Sequence, residues 1–310
     1  MVTRLGLGLP QMKQYDIGRD IPAVAKAAEE IGYESLWVFE RVLFPTPATQ
    51  GLYGVEGLPW PERYRSVADP LVSLTLAAAA TERARLGTSV LVAPLHIPFE
   101  LARALATLDA ASGGRVVAGL GTGWSHDEYA AQGLAPFERR GAVLDETLDV
   151  CRAVWGPDPV AYEGEWTRIA PAAVGPKPAR PIPVHLPANG PRAARRLVER
   201  ADGWMPVALG ARQLTDSWKQ LQDLAATTGR ERPIAATVRV NATYSPRPYE
   251  GEGRRPFQGS VEQIVEDLAD HVEATGIEEF FLELQGRTRD AQELTDVAAA
   301  VYEAAREAGV

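Results

Sequence analysis

The run Arg115-Val-Val-Ala-Gly-Leu-Gly-Thr-Gly-Trp124 carries the strongest chemical signal in the sequence. A β-branched pair, Val116 and Val117, feeds glycines at 119, 121 and 123, and a large aromatic follows at once. Glycines at alternate positions let a flat or phosphorylated ligand come close to the backbone. Ser125 is a good helix N-cap, and Asp127 and Glu128 fall in the first turn, where acids are favoured. The run therefore predicts a buried strand whose C-terminal end, not its middle, is shaped for a ligand, with Gly121, Gly123 and Trp124 at the contact. It is not the GxGxxG of a dinucleotide site, and no acid follows at the ribose-binding distance.

A second glycine turn, Ala188-Asn-Gly-Pro-Arg192, opens another helix. Free N–H groups at a helix start suit a phosphate, and Arg192 adds charge. The alternative is a plain turn with an N-cap. Of the four histidines, none stands in an HxH or HExxH spacing, and there is no GxSxG elbow. Zinc and serine hydrolase chemistry are therefore unsupported. With no protein nucleophile in view, a cofactor is expected to carry the reaction. His126 reads as a first-turn helix residue and His185 as a strand residue aimed into the core. His271 reads as solvated on a charged helix.

These residues need positioning, and the periodicity says how. Eight strand patterns, from Arg4–Leu9 to Glu279–Leu284, alternate with eight helix patterns, from Ile21–Ile31 to Asp290–Glu307. Regular alternation calls for parallel strands with crossover helices. The expected fold is α/β, a (β/α)8 TIM barrel forming one domain over residues 1–310, with a doubly wound open sheet as the alternative. Insertions are expected after strands 2, 4 and 7, at 42–68, 157–177 and 244–259. The first is rich in Pro, Gly and aromatics, among them Phe44, Tyr53, Trp60 and Tyr64. That content tilts it from plain surface loop toward a substrate-covering wall, with Trp60 as a substrate contact.

Composition narrows the function classes. A hydrophobic content of 45% over 310 residues suffices for a large core. The net charge of −9 argues against a nucleic-acid partner, which calls for a basic patch. A lone cysteine, Cys151, excludes a disulfide framework. No signal peptide and no membrane-length apolar run is apparent, so the expected setting is cytoplasmic, with a small-molecule substrate.

The glycine-tryptophan run joins other stretches: Gly6-Leu-Gly-Leu-Pro-Gln11, Ala28-Glu-Glu-Ile-Gly-Tyr-Glu-Ser-Leu-Trp37, Leu91-Val-Ala-Pro-Leu-His-Ile-Pro98 and Pro183-Val-His-Leu-Pro-Ala-Asn-Gly190. In this order they resemble the luciferase-like flavin and deazaflavin oxidoreductase superfamily over most of the chain, in its coenzyme F420-dependent branch. The resemblance implies a cofactor phosphate at Asn189, Gly190 and Arg192. It implies a ring across the barrel mouth, backed by a non-prolyl cis peptide at Ser89–Val90. It also implies hydride transfer from reduced coenzyme F420 to a C=C, C=N or C=O bond. The alternatives are an FMN-dependent monooxygenase with a separate reductase, and a cofactor-free binding barrel. Family members are commonly homodimers.

Two departures stand out. Where many members end the second strand with Asp-His, this chain has Glu40-Arg41. Where sugar and alcohol dehydrogenases follow the third glycine with glutamate, it has Trp124. Glu40, Tyr53 and His126 are left as candidate acids. Arg41 is a candidate for an anionic substrate, or else for an ion pair with Glu40 or Glu62.

Overall fold

The computed structural model describes residues 3–208 and 210–310. Eight parallel staves form the core: β1 Arg4–Gly8, β2 Ser35–Val38, β3 Arg85–Thr88, β4 Val116–Gly121, β5 Val184–Leu186, β6 Gly203–Trp204, β7 Val238–Val240 and β8 Glu279–Leu282. Pairing runs from β6 through β5, β4, β3, β2 and β1 to β8 and β7. The seventh stave is broken at Thr237. Its first part, Ala235–Ala236, pairs with β6, and β7 itself pairs with β8. The Thr237 and Arg239 N–H groups donate to the Trp204 and Pro206 carbonyls at 2.9 and 2.8 Å, so the sheet closes into a ring. The third stave is also interrupted. After β3 the chain bulges at Ser89–Val90, whose peptide is cis, and resumes as Leu91–Val92 beside Leu120 and Gly121.

Helices α1 Ile17–Ile31, α2 Pro70–Ala80, α3 Pro98–Ser112, α4 His126–Gln132, α5 Arg140–Trp155, α6 Pro191–Arg200, α7 Ala211–Thr227, α8 Val261–Thr275 and α9 Ala291–Glu307 wrap the ring. Their starts are those the residue types call for. Asp16, Asp69, Ser125, Ser260 and Asp290 cap first turns with their side chains. Pro98 and Pro191 sit where a missing N–H costs nothing. The short α4 makes nine helices among the described residues, one more than the alternation predicts. His271 is a correction: it is buried, donates from Nδ1 to the Asp267 carbonyl at 2.6 Å and packs on Phe257. Asp267, buried on the same face, pairs with Arg254 at 2.6 Å.

Alternation along the staves sends every second side chain inward. The inward groups stack in three layers, as such barrels do. At the N-terminal end Glu279 pairs with Arg85 at 2.8 Å, with Arg4 at 3.8 Å and with His185 close by. In the middle Trp37 and Phe281 stack at 4.8 Å beside Val117 and Met205. Gly6 and Gly87 make this layer possible, since a Cβ on either would run into Trp37. At the C-terminal end lie Gly8, Ser89, Gly121, Arg239 and Glu283. The outward residues, such as Leu36, Leu86, Leu120, Val240 and Phe280, are buried under the helices.

Three segments leave this frame. Residues 39–69 separate β2 from α2. Val160–Glu163 and Arg168–Ala172 form an antiparallel hairpin between α5 and β5. Between β7 and α8, Thr243–Tyr244 pairs with Gln258–Gly259.

Candidate functional site

The C-terminal layer is where the ring opens, and its chemistry comes from two inward positions. Arg239 donates from Nη1 to the Ser89 carbonyl at 2.6 Å and approaches Glu283 Oε2 with Nη2 at 3.3 Å. The Glu283 carboxyl lies flat on Gly8, where a Cβ would come within 2.9 Å of Oε1. That Oε1 is buried and accepts no hydrogen bond. Burial pushes the Glu283 carboxyl above the ordinary carboxylate range, against the pull of the Arg239 charge and the nearby Gln285 amide. The mouth thus holds a buried carboxyl whose affinity for its proton is raised, with Arg239, Gln285 and Arg63 around it.

The glycine run sits at the end of β4, as expected. A Cβ on Gly121 would come within 2.6 Å of Val90, the second residue of the cis peptide, and Gly123 takes φ +65°. Trp124 then turns outward into the insertion at 39–69. It meets Trp60 at 5.2 Å and Tyr53 at 5.4 Å, and the Arg41 guanidinium lies 4.9 Å from its ring. Gln50 stitches this group together. Its amide donates to the Trp124 carbonyl at 2.9 Å, its side-chain oxygen accepts from the His126 N–H, and its carbonyl accepts from Trp60 Nε1 at 3.1 Å. Gln11 holds both ends of the insertion, bonding the Phe39 backbone and the Ala68 carbonyl.

The structure disperses the three acids named from the sequence. Glu40 is buried with both oxygens engaged, one by the Val92 N–H at 2.6 Å and the other by His96 Nε2 at 2.8 Å. Burial pulls the His96 imidazole down, but the hydrogen bond and charge of Glu40 outweigh it and hold His96 above its ordinary value. Tyr53 is 51% exposed and meets Tyr64 hydroxyl to hydroxyl at 3.4 Å. His126 is exposed and rests on Phe137 at 3.9 Å. Arg41 pairs at 3.0 Å with Glu128, not with Glu40 or Glu62. Glu128 also accepts from the Val42 N–H, and burial raises its carboxyl although the Arg41 charge opposes this.

The second glycine turn lies at another rim position. Gly190 takes φ +88°, ψ 169°, a conformation essentially reserved for glycine, and starts α6 with no side-chain cap. A Cβ there would meet nothing within 4 Å. The turn opens on a cleft of about 740 Å³ between α6 and α7, lined by Asn189, Trp204, Gln213 and Ser217 among others. Arg192 is exposed and off this lining. Arg195 is on it but is paired with Glu199 at 2.6 Å.

Arg239, Glu283 and Gln50 were missed from the sequence. A signal existed for the first two, since alternation through Thr237, Arg239 and Asn241 and through Glu279, Phe281 and Glu283 puts polar groups inside the ring. Gln50 carries none, because its partners come from three separate segments. Among the described residues no group of three acids, histidines or cysteines is placed to hold a metal, and no helix is long and apolar enough to cross a membrane.

The luciferase-like monooxygenase family model matches residues 7–308, and the chain belongs to that family. An uncharacterized protein of Mycobacterium tuberculosis is 37% identical over 220 residues, 70% of this chain and 77% of that one. The F420-dependent glucose-6-phosphate dehydrogenase of Amycolatopsis mediterranei is 30% identical over 190 residues, 60% of this chain and 53% of that one. Among solved structures, an F420-dependent secondary alcohol dehydrogenase with an F420-acetone adduct superposes with TM-score 0.78 at 19% identity, covering 99% of this chain and 100% of that one. The monooxygenase RslO1 from Streptomyces bottropensis does so with TM-score 0.78 at 18% identity and the same coverage.

Proposed function

We propose that this luciferase-like chain is an oxidoreductase that binds coenzyme F420 at the barrel mouth and reduces a C=C, C=N or C=O bond of a small organic substrate. When bound, the reduced deazaflavin supplies a hydride. The chain's residues fit such a group at both of its ends. The uncapped helix start at Gly190 offers N–H groups to a phosphate beside a cleft of about 740 Å³. At the mouth, where the ring would lie, the glycines at 8, 121 and 123 let Glu283, Val90 and Val92 pack against the backbone. F420-dependent relatives at 30–34% identity support this cofactor over FMN.

The observation that carries the reading is Glu283. A buried carboxyl with a raised affinity for its proton is what a reduction needs once hydride has gone to one end of the double bond. The other end must then take a proton, and Glu283 Oε1 holds it at the mouth. Arg239 fixes the opposite oxygen and is itself fixed by the Ser89 carbonyl. From the segment at 39–69, the Phe39 ring lies 5.4 Å from the Arg239 guanidinium.

The test is anaerobic turnover of reduced F420 with a panel of unsaturated substrates, read by cofactor oxidation and by product mass. Turnover without oxygen, with a product heavier by two hydrogens, supports the reading. Turnover only with oxygen and reduced FMN supplied by a reductase would replace it with the monooxygenase reading.

A further inference from the structure

Resting on that reading, we propose that the substrate is an uncharged, planar, unsaturated molecule held against the rings of Trp60, Trp124 and Tyr53, and not a phosphorylated or carboxylated one. The three rings form one surface, with Trp124 central to it at 5.2 Å from Trp60 and 5.4 Å from Tyr53. Aromatic contacts continue from it to the mouth. Tyr53 meets Tyr64, Tyr64 lies 5.7 Å from Phe39, and the Arg239 guanidinium stands 5.4 Å from the Phe39 ring. Tyr64 and Phe39 are buried, so they support the wall by packing, and a flat molecule meets Trp60, Trp124 and the exposed Tyr53. Gln50 holds Trp60 and Trp124 before any ligand arrives, so little side-chain freedom is lost on binding.

The charges argue against an anion. Cavities of about 630 and 730 Å³ flank residues 49–54, one bounded by Phe44 and Trp60 and the other by Trp124 and Phe137. Neither is lined by lysine or arginine, and their charged groups are Glu56 and Asp127. Three nearby guanidinium groups are committed, and Arg63, 5.6 Å from the Tyr64 ring, lines neither cavity. Arg41 is tied to Glu128 at 3.0 Å, Arg65 to Glu62 at 2.6 Å and Arg239 to Glu283. A phosphate or carboxylate brought to this wall would lose its water and gain no cation. A neutral conjugated molecule gains edge and face contacts and loses little.

The experiment titrates wild-type protein, with and without F420, with three probes: benzylideneacetone, cinnamate and glucose-6-phosphate. Benzylideneacetone and cinnamate share a conjugated frame and differ in charge. The expected result is that benzylideneacetone binds at least about tenfold tighter than cinnamate, and that glucose-6-phosphate does not bind. Trp60→Leu should weaken the ketone about three- to tenfold and Trp60→Phe should restore most of it. Cofactor failure is read separately. If F420 does not bind but the ketone keeps its preference, the cofactor reading falls and the substrate class stands. If F420 binds and either anion matches the ketone, or Trp60→Leu changes nothing, the substrate class is overturned and the cofactor reading stands. Absence of ketone binding in both forms also overturns the substrate class.

Discussion

One strand, β8, puts a glutamate into each end of the barrel, and the two ends treat it differently. At the N-terminal end Glu279 meets Arg85 and Arg4, and His185 beside them is buried and pushed down to about 4 by burial and by Arg85. Charge there is matched within the protein. At the C-terminal end Glu283 is paired at 3.3 Å with Arg239, the Arg63 charge also reaches it, and burial still raises its carboxyl. The stacked Trp37 and Phe281 lie between the two. A matched buried pair is a structural part, whereas a carboxyl with a raised affinity for its proton on an open, glycine-lined rim is poised for a ligand.

The largest expected effect comes from removing the partition. Trp37→Ala should lower stability by roughly 3–5 kcal/mol, read by chemical denaturation, because the cavity adjoins Gly6 and Gly87 and no side chain there can fill it. A loss under about 1 kcal/mol would mean that the middle layer does not separate the ends.

The paired carboxyls come next. Glu283→Gln should cost about a hundredfold or more in turnover while leaving the melting temperature close to wild type. Glu279→Gln should do the reverse, costing about 3 kcal/mol of stability with turnover of the folded protein near wild type, since it strands Arg85. Equal activity losses in the two variants would erase the distinction between the ends.

The ends should also differ in pH response. The fold lowers the His185 pKa from 6.5 to about 4, so it favours the neutral ring. That contribution is full above the unfolded value and is lost as pH falls from about 6.5 toward 4, roughly 3 kcal/mol in all. Glu283 has the opposite sign. Its raised pKa gives a contribution that is full below the unfolded value and is lost as pH rises through the folded one. Denaturation series at several pH values should show the acid-side slope shrink in His185→Asn and persist in Glu283→Gln.

The smallest effects concern the helix start. Gly190→Val should weaken F420 binding about tenfold, since a β-branched residue disfavours φ +88°. Arg192→Ala should weaken it about twofold at low salt and not measurably at high salt, because that residue is exposed and off the cleft. A larger loss for Arg192→Ala would move the phosphate outward along α6.

The fold was legible because its cause is local. Period-two runs of apolar residues and capped amphipathic helices recur along the chain, and ring closure follows from their order. The glycine run and the helix start at Gly190 were legible because only glycine serves there. The centre of the mouth was readable but unread, since Arg239 and Glu283 stand on inward positions of strands that periodicity had already marked. The wall around Trp124 lay beyond sequence reasoning. Its geometry depends on Gln50 and Gln11, single side chains that join segments far apart in the chain. Glu40 and Arg41 teach the same lesson, as their true partners, His96 and Glu128, come from other segments.

The most direct test of the central claim is a calorimetric titration of the protein with F420 and with FMN, repeated on Gly190→Val. The account predicts saturable binding of F420, at least about tenfold tighter than FMN, and weakened by Gly190→Val. Tighter binding of FMN, or F420 binding that is indifferent to Gly190→Val, would contradict it.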